Sequence, residues 1–351
     1  MNPPVSHQAD DSPGKVRGAV PRVLVVKLSS LGDLVHALPA LDTLHRRLGW
    51  TFDWVVKEQY ADLVSLFEPV DRVIPFPRRW NRRSAREFLV ELRRRYYHLV
   101  MDMQGLLRSA LIARAARAAL TIGPSFHREG SFLFYREIAG KRNKNRHAVE
   151  ELQDFPRHLG IASPEYRFPI RVPELPPPAA PRPHVILVPG SRWPTKSWPW
   201  EKFVPVAAHL IDALRATIFL VGDDRDRQTC ETIARELKRP GNVFNRAGET
   251  SLQELVVLCA TADLMITVDS GPMHLAAALG RPVVALFGPT DAVRTGPFGE
   301  GHRVLTAPVT CRPCFRRKCR YGSVPAPCMT GIHPDDVVRA AMDVTRGSGL
   351  D

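Results

Sequence analysis

The sequence has no apolar run of about 18 residues or more, so it predicts no membrane-spanning helix. It also lacks a Gly-x-Gly-x-x-Gly motif, which disfavours a nicotinamide dehydrogenase. Recognition-helix, RNA-motif and zinc-finger patterns are missing too, and this argues against nucleic acid as a partner. Residues 1–20 are polar and lack the apolar core of a signal peptide. We therefore expect a flexible tail there and a cytoplasmic protein.

Acidic residues are too few to balance the basic ones. The chain has 36 Asp and Glu against 49 Lys and Arg, a formal net charge of +13. Much of the excess lies in four segments: Arg78–Arg83, Arg93–Arg95, Lys141–Arg146 and Arg312–Arg320. An anionic membrane surface or a phosphorylated substrate fits this charge better than nucleic acid does, and an arginine-rich solvated surface accounts for part of it.

The length of 351 residues predicts about two domains. Strand and helix signals alternate, which is typical of an α/β fold with mainly parallel sheets. In the first half we predict strands at Val23–Val26, Phe52–Val56, Arg72–Ile74 and His98–Asp102, and helices at Leu34–Leu48, Ser84–Arg95 and Ser109–Ala119. In the second half we predict strands at His184–Val188, Thr217–Val221, Asn242–Asn245, Leu264–Val268 and Val283–Phe287. Helices are predicted there at Trp200–Leu214, Asp226–Lys238, Ser251–Thr261, Met273–Leu279 and Pro334–Val344.

A proline-rich segment separates the two halves. Residues 169–183 lack too many amide donors to form a helix or a central strand, so they are predicted to be the linker. Residues 21–168 and 184–345 then form two Rossmann-like domains that face each other across a cleft. Ligands bind such sheets at the carboxyl ends of the strands.

The first candidate loop is Lys27–Asp33, which follows the first predicted strand. Gly32 permits a tight turn, and Ser30 adds a hydroxyl. Asp33 falls on the first turn of the next helix, where it could merely complement the helix dipole. At the carboxyl end of a strand it could instead take a proton from an incoming hydroxyl.

The segment Asp269–His274 is the most specific anion-site signal. Ser270 and Gly271 would offer donors at a helix N-terminus, which carries partial positive charge. His274 lies on the first turn of that helix and could donate to the same anion. The later loop Phe287–Asp291 is predicted to close the floor of the pocket.

Two further loops of the second half follow strands. Ser191 and Lys196 could hold a diphosphate, although Pro and Trp beside them would also suit an ordinary surface turn. Asp226 could bind ribose hydroxyls, and a solvated loop is an equal alternative. Ser251 and Glu254 have capping-box spacing and predict a helix start.

Four of the six cysteines lie close together in the sequence, at Cys311, Cys314, Cys319 and Cys328. In a reducing compartment they favour a thiolate metal site over disulfides. A structural zinc and free thiols remain equal alternatives. We expect no catalytic metal, because no carboxylate nearby would supply an open site.

Together these motifs resemble the glycosyltransferase family 9 heptosyltransferases of lipopolysaccharide core assembly, from Arg22 to about Val344. The segments that carry the resemblance are Arg22–Pro39, Phe52–Val56, Asp102–Ala110, Lys196–Pro199, Val268–His274 and Gly288–Asp291. The Asp-x-Gln-Gly-Leu segment and Arg78-Arg79-Trp80 look closest to the heptosyltransferase I branch. The cysteine cluster looks like other branches, including heptosyltransferase II.

This resemblance implies a GT-B fold and an inverting transfer of heptose from ADP-L-glycero-β-D-manno-heptose to Kdo-lipid A, with no cofactor required. Residues 21–168 would bind the acceptor, residues 184–345 would bind the nucleotide sugar, and Asp33 would be the general base. The implied donor-binding residues are Ser191, Lys196, Asp226, Asp269, Ser270, Gly271 and His274. The implied acceptor-binding residues are Ser30, Arg79, Arg82, Arg83, Gln104, Arg146 and His147. The enzyme would work as a peripheral protein on the cytoplasmic face of the inner membrane.

Two alternatives stay open at this point. The chain could use another nucleotide sugar or another glycan acceptor within the same family. It could also be a basic anion-binding protein without enzymatic activity. That protein would bind tightly and with strong salt dependence, and it would not need Asp33.

Overall fold

The computed structural model describes residues 21–346, so the predicted tail at residues 1–20 lies outside the described part of the chain. The N-terminal domain is built on a six-stranded parallel sheet with the order β3-β2-β1-β4-β5-β6. Its strands are β1 (Val23–Val26), β2 (Phe52–Lys57), β3 (Val70–Phe76), β4 (Tyr96–Asp102), β5 (Arg117–Pro124) and β6 (Glu137–Ala139). This is the Rossmann strand order.

The helices of this domain cover both faces of the sheet. They are α1 (Leu31–Leu48), α2 (Ala61–Val64), α3 (Arg82–Leu92), α4 (Leu107–Ala115), α5 (Ala148–Leu152) and α6 (Asp154–His158). The prediction of a helix to Ala119 is wrong at its end. Ala116 is already extended, and Arg117 begins β5, which pairs with β4. Sheet pairing therefore overrides the helix propensity of this alanine-rich run.

The C-terminal domain repeats the same strand order, β12-β11-β10-β7-β8-β9. Its strands are β7 (His184–Val188), β8 (Thr217–Leu220), β9 (Val243–Asn245), β10 (Leu264–Val268), β11 (Val283–Phe287) and β12 (Arg303–Thr306). Its helices are α7 (Trp200–Leu214), α8 (Arg227–Leu237), α9 (Leu252–Thr261), α10 (Gly271–Ala278), α11 (Ala292–Thr295), α12 (Pro327–Thr330) and α13 (Pro334–Arg346). The prediction of two Rossmann-like α/β domains is confirmed.

The two domains contact each other through helices that follow their central strands. Helix α1 packs against α10, and α2 packs against α9. Leu34 of α1 and Met273 of α10 are fully buried members of one hydrophobic cluster. Polar contacts also cross the boundary, including Arg192 to Tyr60 at 3.1 Å. The interface therefore combines an apolar core with polar links.

The predicted linker at residues 169–183 is held at both ends. The backbone N–H of Arg171 donates to Leu66 in the N-terminal domain, and the Thr217 hydroxyl donates to the carbonyl of Pro181. Its role as the boundary between the domains stays a prediction. Within residues 21–346, every helix is too short or too polar to cross a membrane.

The strand order places one candidate loop of each domain at the switch point of its sheet. In each sheet the order reverses between the first and the fourth strand, and ligands bind at such a switch point. The loop with Asp33 follows β1 beside β4, and the loop with Ser270 follows β10 beside β7. The two switch points therefore flank the contact between α1 and α10.

Candidate functional site

Asp33 has two structural partners within its own loop. Its Oδ2 atom accepts hydrogen bonds from the backbone N–H and the hydroxyl of Ser30, both at 2.7 Å. The bond from the Ser30 backbone N–H is the one that an N3 side chain makes to the N-cap residue in a capping box at the start of α1. The two bonds from Ser30 hold the half-buried carboxylate in one orientation near the end of β1.

Gln104 braces the same loop from the end of β4. Its Oε1 atom accepts hydrogen bonds from the backbone N–H groups of Leu28 at 3.0 Å and Ser29 at 3.2 Å. The residue predicted to bind acceptor thus positions the backbone that carries Asp33. Beneath the loop, the buried Lys27 ammonium donates to the carbonyl of Met103 at 2.7 Å. Burial lowers the pKa of Lys27, although the Asp33 and Asp102 carboxylates oppose that shift.

Lys196 and Asp269 form an ion pair of 2.6 Å between two loops of the C-terminal domain. Thr290 donates its hydroxyl to the same Asp269 oxygen at 2.6 Å, and Ser191 donates to the Asp269 carbonyl at 3.3 Å. The Lys196 ammonium also lies 4.7 Å from the ring centre of Trp193. The predicted donor residues Ser191, Lys196 and Asp269 are therefore brought together. Within this cluster the Asp269 carboxylate is engaged in holding Lys196.

Ser270 and Gly271 lie at the N-terminus of α10, as the sequence predicts. Ser270 is the N-cap residue, and its hydroxyl is 2.9 Å from that of Thr267. A Cβ atom at Gly271 would lie 3.0 Å from the Cβ atom of Leu31, at the start of α1. The partial positive charge at the start of α10 thus faces the N-terminal domain at close range.

His274 joins the two walls of the cleft. Its ring lies over Gly32, where a Cβ atom would come within 2.8 Å of Nε2. Its Nδ1 atom is 2.9 Å from Nε2 of His36 on α1. Burial lowers the pKa of His274 to about 4, although Asp269 and Asp33 oppose the shift. The imidazole is therefore neutral at pH 7, and carboxylates from both domains act on it.

Asp226 lies between the ends of β7 and β8. Its carboxylate is packed against Gly190 and Gly222, and neither position has room for a Cβ atom. Its Oδ2 atom accepts from the backbone N–H of Asp223 at 3.0 Å. Burial raises the pKa of Asp226. The ribose-binding role stays a prediction.

The predicted acceptor arginines fall into two places. Arg79, Arg82 and Arg83 are exposed just after β3, and Arg83 pairs with Glu87 at 2.8 Å. Arg146 instead forms a two-pronged ion pair with Asp154. The Arg146 charge is thus already neutralised within its own domain, and the acceptor-binding role of these four arginines stays a prediction.

His147, also predicted to bind acceptor, lies at the domain boundary. Its Nδ1 atom accepts from the backbone N–H of Val149, and its Nε2 atom is 3.1 Å from the carbonyl of Gly296 in the C-terminal domain. Its ring also contacts His36 edge-on. His147 therefore links the domains, and its role toward acceptor stays a prediction.

The four clustered cysteines line one cavity of about 260 Å³. They are Cys311, Cys314, Cys319 and Cys328, and all are free thiols. Burial and the nearby Cys311 and Cys314 raise the pKa of Cys328. In the described part of the chain, however, no group of three or more His, Cys, Asp or Glu side chains is arranged to hold a metal ion. Structural zinc at these thiols stays a prediction.

Two residues of the site, His36 and Thr290, are not among those predicted from the sequence. His36 lies three positions after Asp33, a spacing that places both on one face of α1. Thr290 belongs to the Phe287–Asp291 loop that was predicted to close the pocket, but its bond to Asp269 had no sequence signal. A helical-face argument could have found His36, whereas Thr290 needed the tertiary structure.

The chain is similar in sequence and in fold to several known proteins. A family model described as glycosyltransferase family 9 (heptosyltransferase) matches residues 85–324. Lipopolysaccharide heptosyltransferase 1 of Pseudomonas aeruginosa is 33% identical over 316 residues, which are 86% of this chain and 88% of that protein. The solved structure of E. coli heptosyltransferase WaaC with ADP has a TM-score of 0.77 at 29% identity and covers 92% of this chain and 99% of that chain. The WaaC structure with ADP-2-deoxy-2-fluoro heptose has a TM-score of 0.70 at 30% identity and covers 82% and 93%.

Proposed function

Since the chain belongs to glycosyltransferase family 9, we propose that it transfers L-glycero-D-manno-heptose from ADP-heptose to the Kdo-lipid A inner core of lipopolysaccharide. The proposal rests on the contact between residues of the two domains at the cleft. His274 and the Lys196–Asp269 pair come from one domain, and the loop of Asp33 comes from the other. The similarity to a heptosyltransferase solved with an ADP-heptose analogue supports the choice of donor.

The reaction is a displacement at the anomeric carbon. An acceptor hydroxyl attacks from the face opposite the diphosphate, so the configuration inverts through an oxocarbenium-like transition state. The new C–O bond forms as the bond to the diphosphate oxygen breaks. The Asp33 carboxylate, which is fixed by Ser30, takes the hydroxyl proton. The products are the heptosylated acceptor and ADP.

Departure of ADP builds negative charge on the diphosphate. The Lys196 ammonium, the N-terminus of α10 and the neutral imidazole of His274 would stabilise that charge. These groups favour the transition state because the charge grows as the bond breaks. Asp269 contributes indirectly, since it holds Lys196 in place.

A panel of nucleotide sugars tests the donor and the acceptor together. Each donor is incubated with Kdo-lipid A, and the mass added to the acceptor is measured. We expect transfer and ADP release with ADP-heptose only. Transfer from a different nucleotide sugar, or only to a different glycan, would support the alternative within the family. Tight salt-sensitive binding without any transfer would support an anion-binding protein instead.

We further propose that α3 docks the protein on the cytoplasmic face of the inner membrane. One face of the helix and its C-cap residue carry an exposed stripe of side chains: Arg82, Arg86, Leu89, Val90 and Arg93. Val90 is 63% exposed although it is apolar. A basic stripe around apolar side chains suits an anionic lipid surface, to which each arginine contributes about 1 kcal/mol. The stripe begins at the exposed arginines after β3.

Liposome co-sedimentation tests this surface. The wild type should bind vesicles that contain phosphatidylglycerol and should not bind pure phosphatidylcholine vesicles. Arg86→Glu with Val90→Asp should weaken binding at least tenfold. Arg235→Glu on the exposed part of α8 is the matched control and should bind like the wild type. Equal binding by both variants would reject α3 as the docking surface.

A further inference from the structure

Two buried histidines from different domains are hydrogen-bonded to each other. Nε2 of His36 on α1 lies 2.9 Å from Nδ1 of His274 on α10. Their ring centres are 4.3 Å apart, and the ring planes are nearly perpendicular, at 83°. His36 is 3% exposed and His274 is 8% exposed. The pair therefore forms in a dry environment, where the position of each proton matters.

Both rings are neutral at pH 7. Burial lowers the pKa of His36 well below its usual value, and the nearby His274, His147 and Lys27 lower it further. Burial likewise lowers the pKa of His274 to about 4. In a neutral pair one ring must donate and the other must accept. Each ring has a second nitrogen outside this hydrogen bond, Nδ1 in His36 and Nε2 in His274. The surroundings of these nitrogens determine which ring donates.

The surroundings of the Nδ1 atom of His36 determine which of the two histidines donates the hydrogen bond. Among residues 21–346, no hydrogen-bond partner contacts the buried Nδ1 atom of His36. His147 does not supply one, because its Nδ1 caps α5 and its Nε2 faces the Gly296 carbonyl. If His274 donated, His36 would carry its proton on Nδ1 as a buried N–H without an acceptor. Buried N–H groups of this kind are rarer than buried acceptors without a donor.

We propose that His36 is a positioning residue that donates its Nε2–H to Nδ1 of His274 and so fixes His274 as the Nε2–H tautomer. The Cδ2–Nε2 edge of His274 then presents a donor beside Gly32. Asp33, Asp269 and Lys196 are all close enough for their charges to act on this ring.

The Nε2–H tautomer of His274 affects the departure of the ADP diphosphate. This inference rests on the proposed transfer from ADP-heptose. A neutral Nε2–H donor can hydrogen-bond a diphosphate oxygen as that oxygen gains charge. The other tautomer would present a lone pair to the same oxygen and repel it. Because His36 belongs to the N-terminal domain, the productive tautomer is imposed only when the two domains are together.

Two substitutions at residue 36 separate the hydrogen bond from the shape of the side chain. His36→Gln keeps an amide N–H that can reach His274, and His36→Leu keeps a similar volume without a donor. We expect His36→Leu to lower kcat at least tenfold and to change KM for ADP-heptose less than threefold. His36→Gln should restore most of kcat. In a His274→Ala background, His36→Leu should change kcat less than twofold, because its partner is gone.

Nitrogen-15 NMR of labelled imidazoles reads the tautomer directly and does not depend on turnover. In the wild type, His274 should be protonated at Nε2 and unprotonated at Nδ1. In His36→Leu, the spectra should show a mixture of both His274 tautomers. A wild-type His274 protonated at Nδ1 would overturn the proposal, and so would unchanged kcat in folded His36→Leu. If the wild type lacked heptose transfer altogether, the proposed function would fail, but the NMR result would still decide the tautomer. If His36→Leu did not fold, the wild type and His36→Gln would still give that reading.

Discussion

The imidazole of His274 lies directly over Gly32, so the side chain of one domain occupies the space that a Cβ atom would need in the other. Gly32 is inside α1 with helical geometry, where an alanine would ordinarily be favoured. The absence of a side chain at this position therefore serves the contact between the domains and not the helix.

Gly32→Ala should disrupt this contact. The new Cβ atom would overlap the His274 ring, so the domains would have to separate or the ring would have to turn. We expect kcat/KM for transfer to fall about a hundredfold, as is typical when reacting groups are misplaced by about 1 Å. Steady-state kinetics with ADP-heptose measures the effect.

Gly32→Ala has an internal control in the His274→Ala background. With the ring removed, the new methyl group meets no imidazole, and the alanine should keep its helix advantage of about 1 kcal/mol. Urea denaturation should therefore show that Gly32→Ala destabilises the wild type but not His274→Ala. Equal effects in both backgrounds would show that the ring is not the obstacle.

Lys196→Met should affect stability and activity together. It leaves the Asp269 carboxylate, which is 7% exposed, without its cation, at a cost of about 3 kcal/mol. It also removes a charge that would face the leaving diphosphate, so kcat/KM should fall about a hundredfold or more.

Adding Asp269→Asn to Lys196→Met separates these effects. The amide can still accept from Thr290, so urea denaturation should show stability largely restored. Transfer should stay low, because the cation is still missing. Lys202→Met is a matched control, since that lysine also lies near a tryptophan ring but bonds the carbonyl of Ile332. A normal transfer rate in Lys196→Met would show that Lys196 does not contribute to the reaction.

Asp33→Asn should abolish proton removal while it retains the cap on α1. The amide oxygen can accept from Ser30 as the carboxylate does, so stability should change by less than about 1 kcal/mol. Single-turnover transfer should slow about a hundredfold or more. Asp335→Asn, on the first turn of α13, removes a comparable helix-terminal charge and should leave transfer unchanged. Rapid transfer by Asp33→Asn would require another base.

Stability should fall as the pH falls below about 6.5. The pKa of His274 is lowered from 6.5 to about 4 in the folded protein, so the unfolded chain takes up a proton first. This group alone should lower the free energy of unfolding by about 2 kcal/mol between pH 7 and pH 5. His36 and His147 act in the same direction. Urea denaturation of His274→Gln should show a weaker dependence on pH, and an unchanged one would contradict the assignment.

Chelation should leave transfer intact. Lys196 and the N-terminus of α10 can stabilise the diphosphate, so we expect EDTA to change the initial rate less than twofold. Mass spectrometry of the treated protein reports the zinc content at the same time. Loss of zinc together with a lowered Tm would support structural zinc at the cysteine cavity. Loss of transfer that Mg²⁺ restores would contradict a metal-independent reaction.

Local sequence predicted much of the framework. The buried strands at Val23–Val26 and Leu264–Val268 lie where their apolar runs place them, and the capping box of Ser251 and Glu254 begins α9. Predicted strand ends also located Asp33 and Ser270 at the two switch points. These features depend on residues close together in the chain.

The strand β5 shows where local patterns failed. Its first residues continue the alanine-rich run of α4, which has high helix propensity, but β5 pairs with β4 on one side and with β6 on the other. Pairing with neighbouring strands depends on residues elsewhere in the chain, so helix propensity in one window could not predict it.

Local sequence patterns were enough to predict the two Rossmann-like domains and the loops that meet at their cleft, because periodicity and capping act over a few residues. The ion pairs of Arg146 with Asp154 and of Lys196 with Asp269 became visible only in the folded protein. It alone brought His36 to His274, which are 238 residues apart in the chain. Side-chain pairing at such separations depends on how whole domains pack, and a single sequence carries no local signal of it.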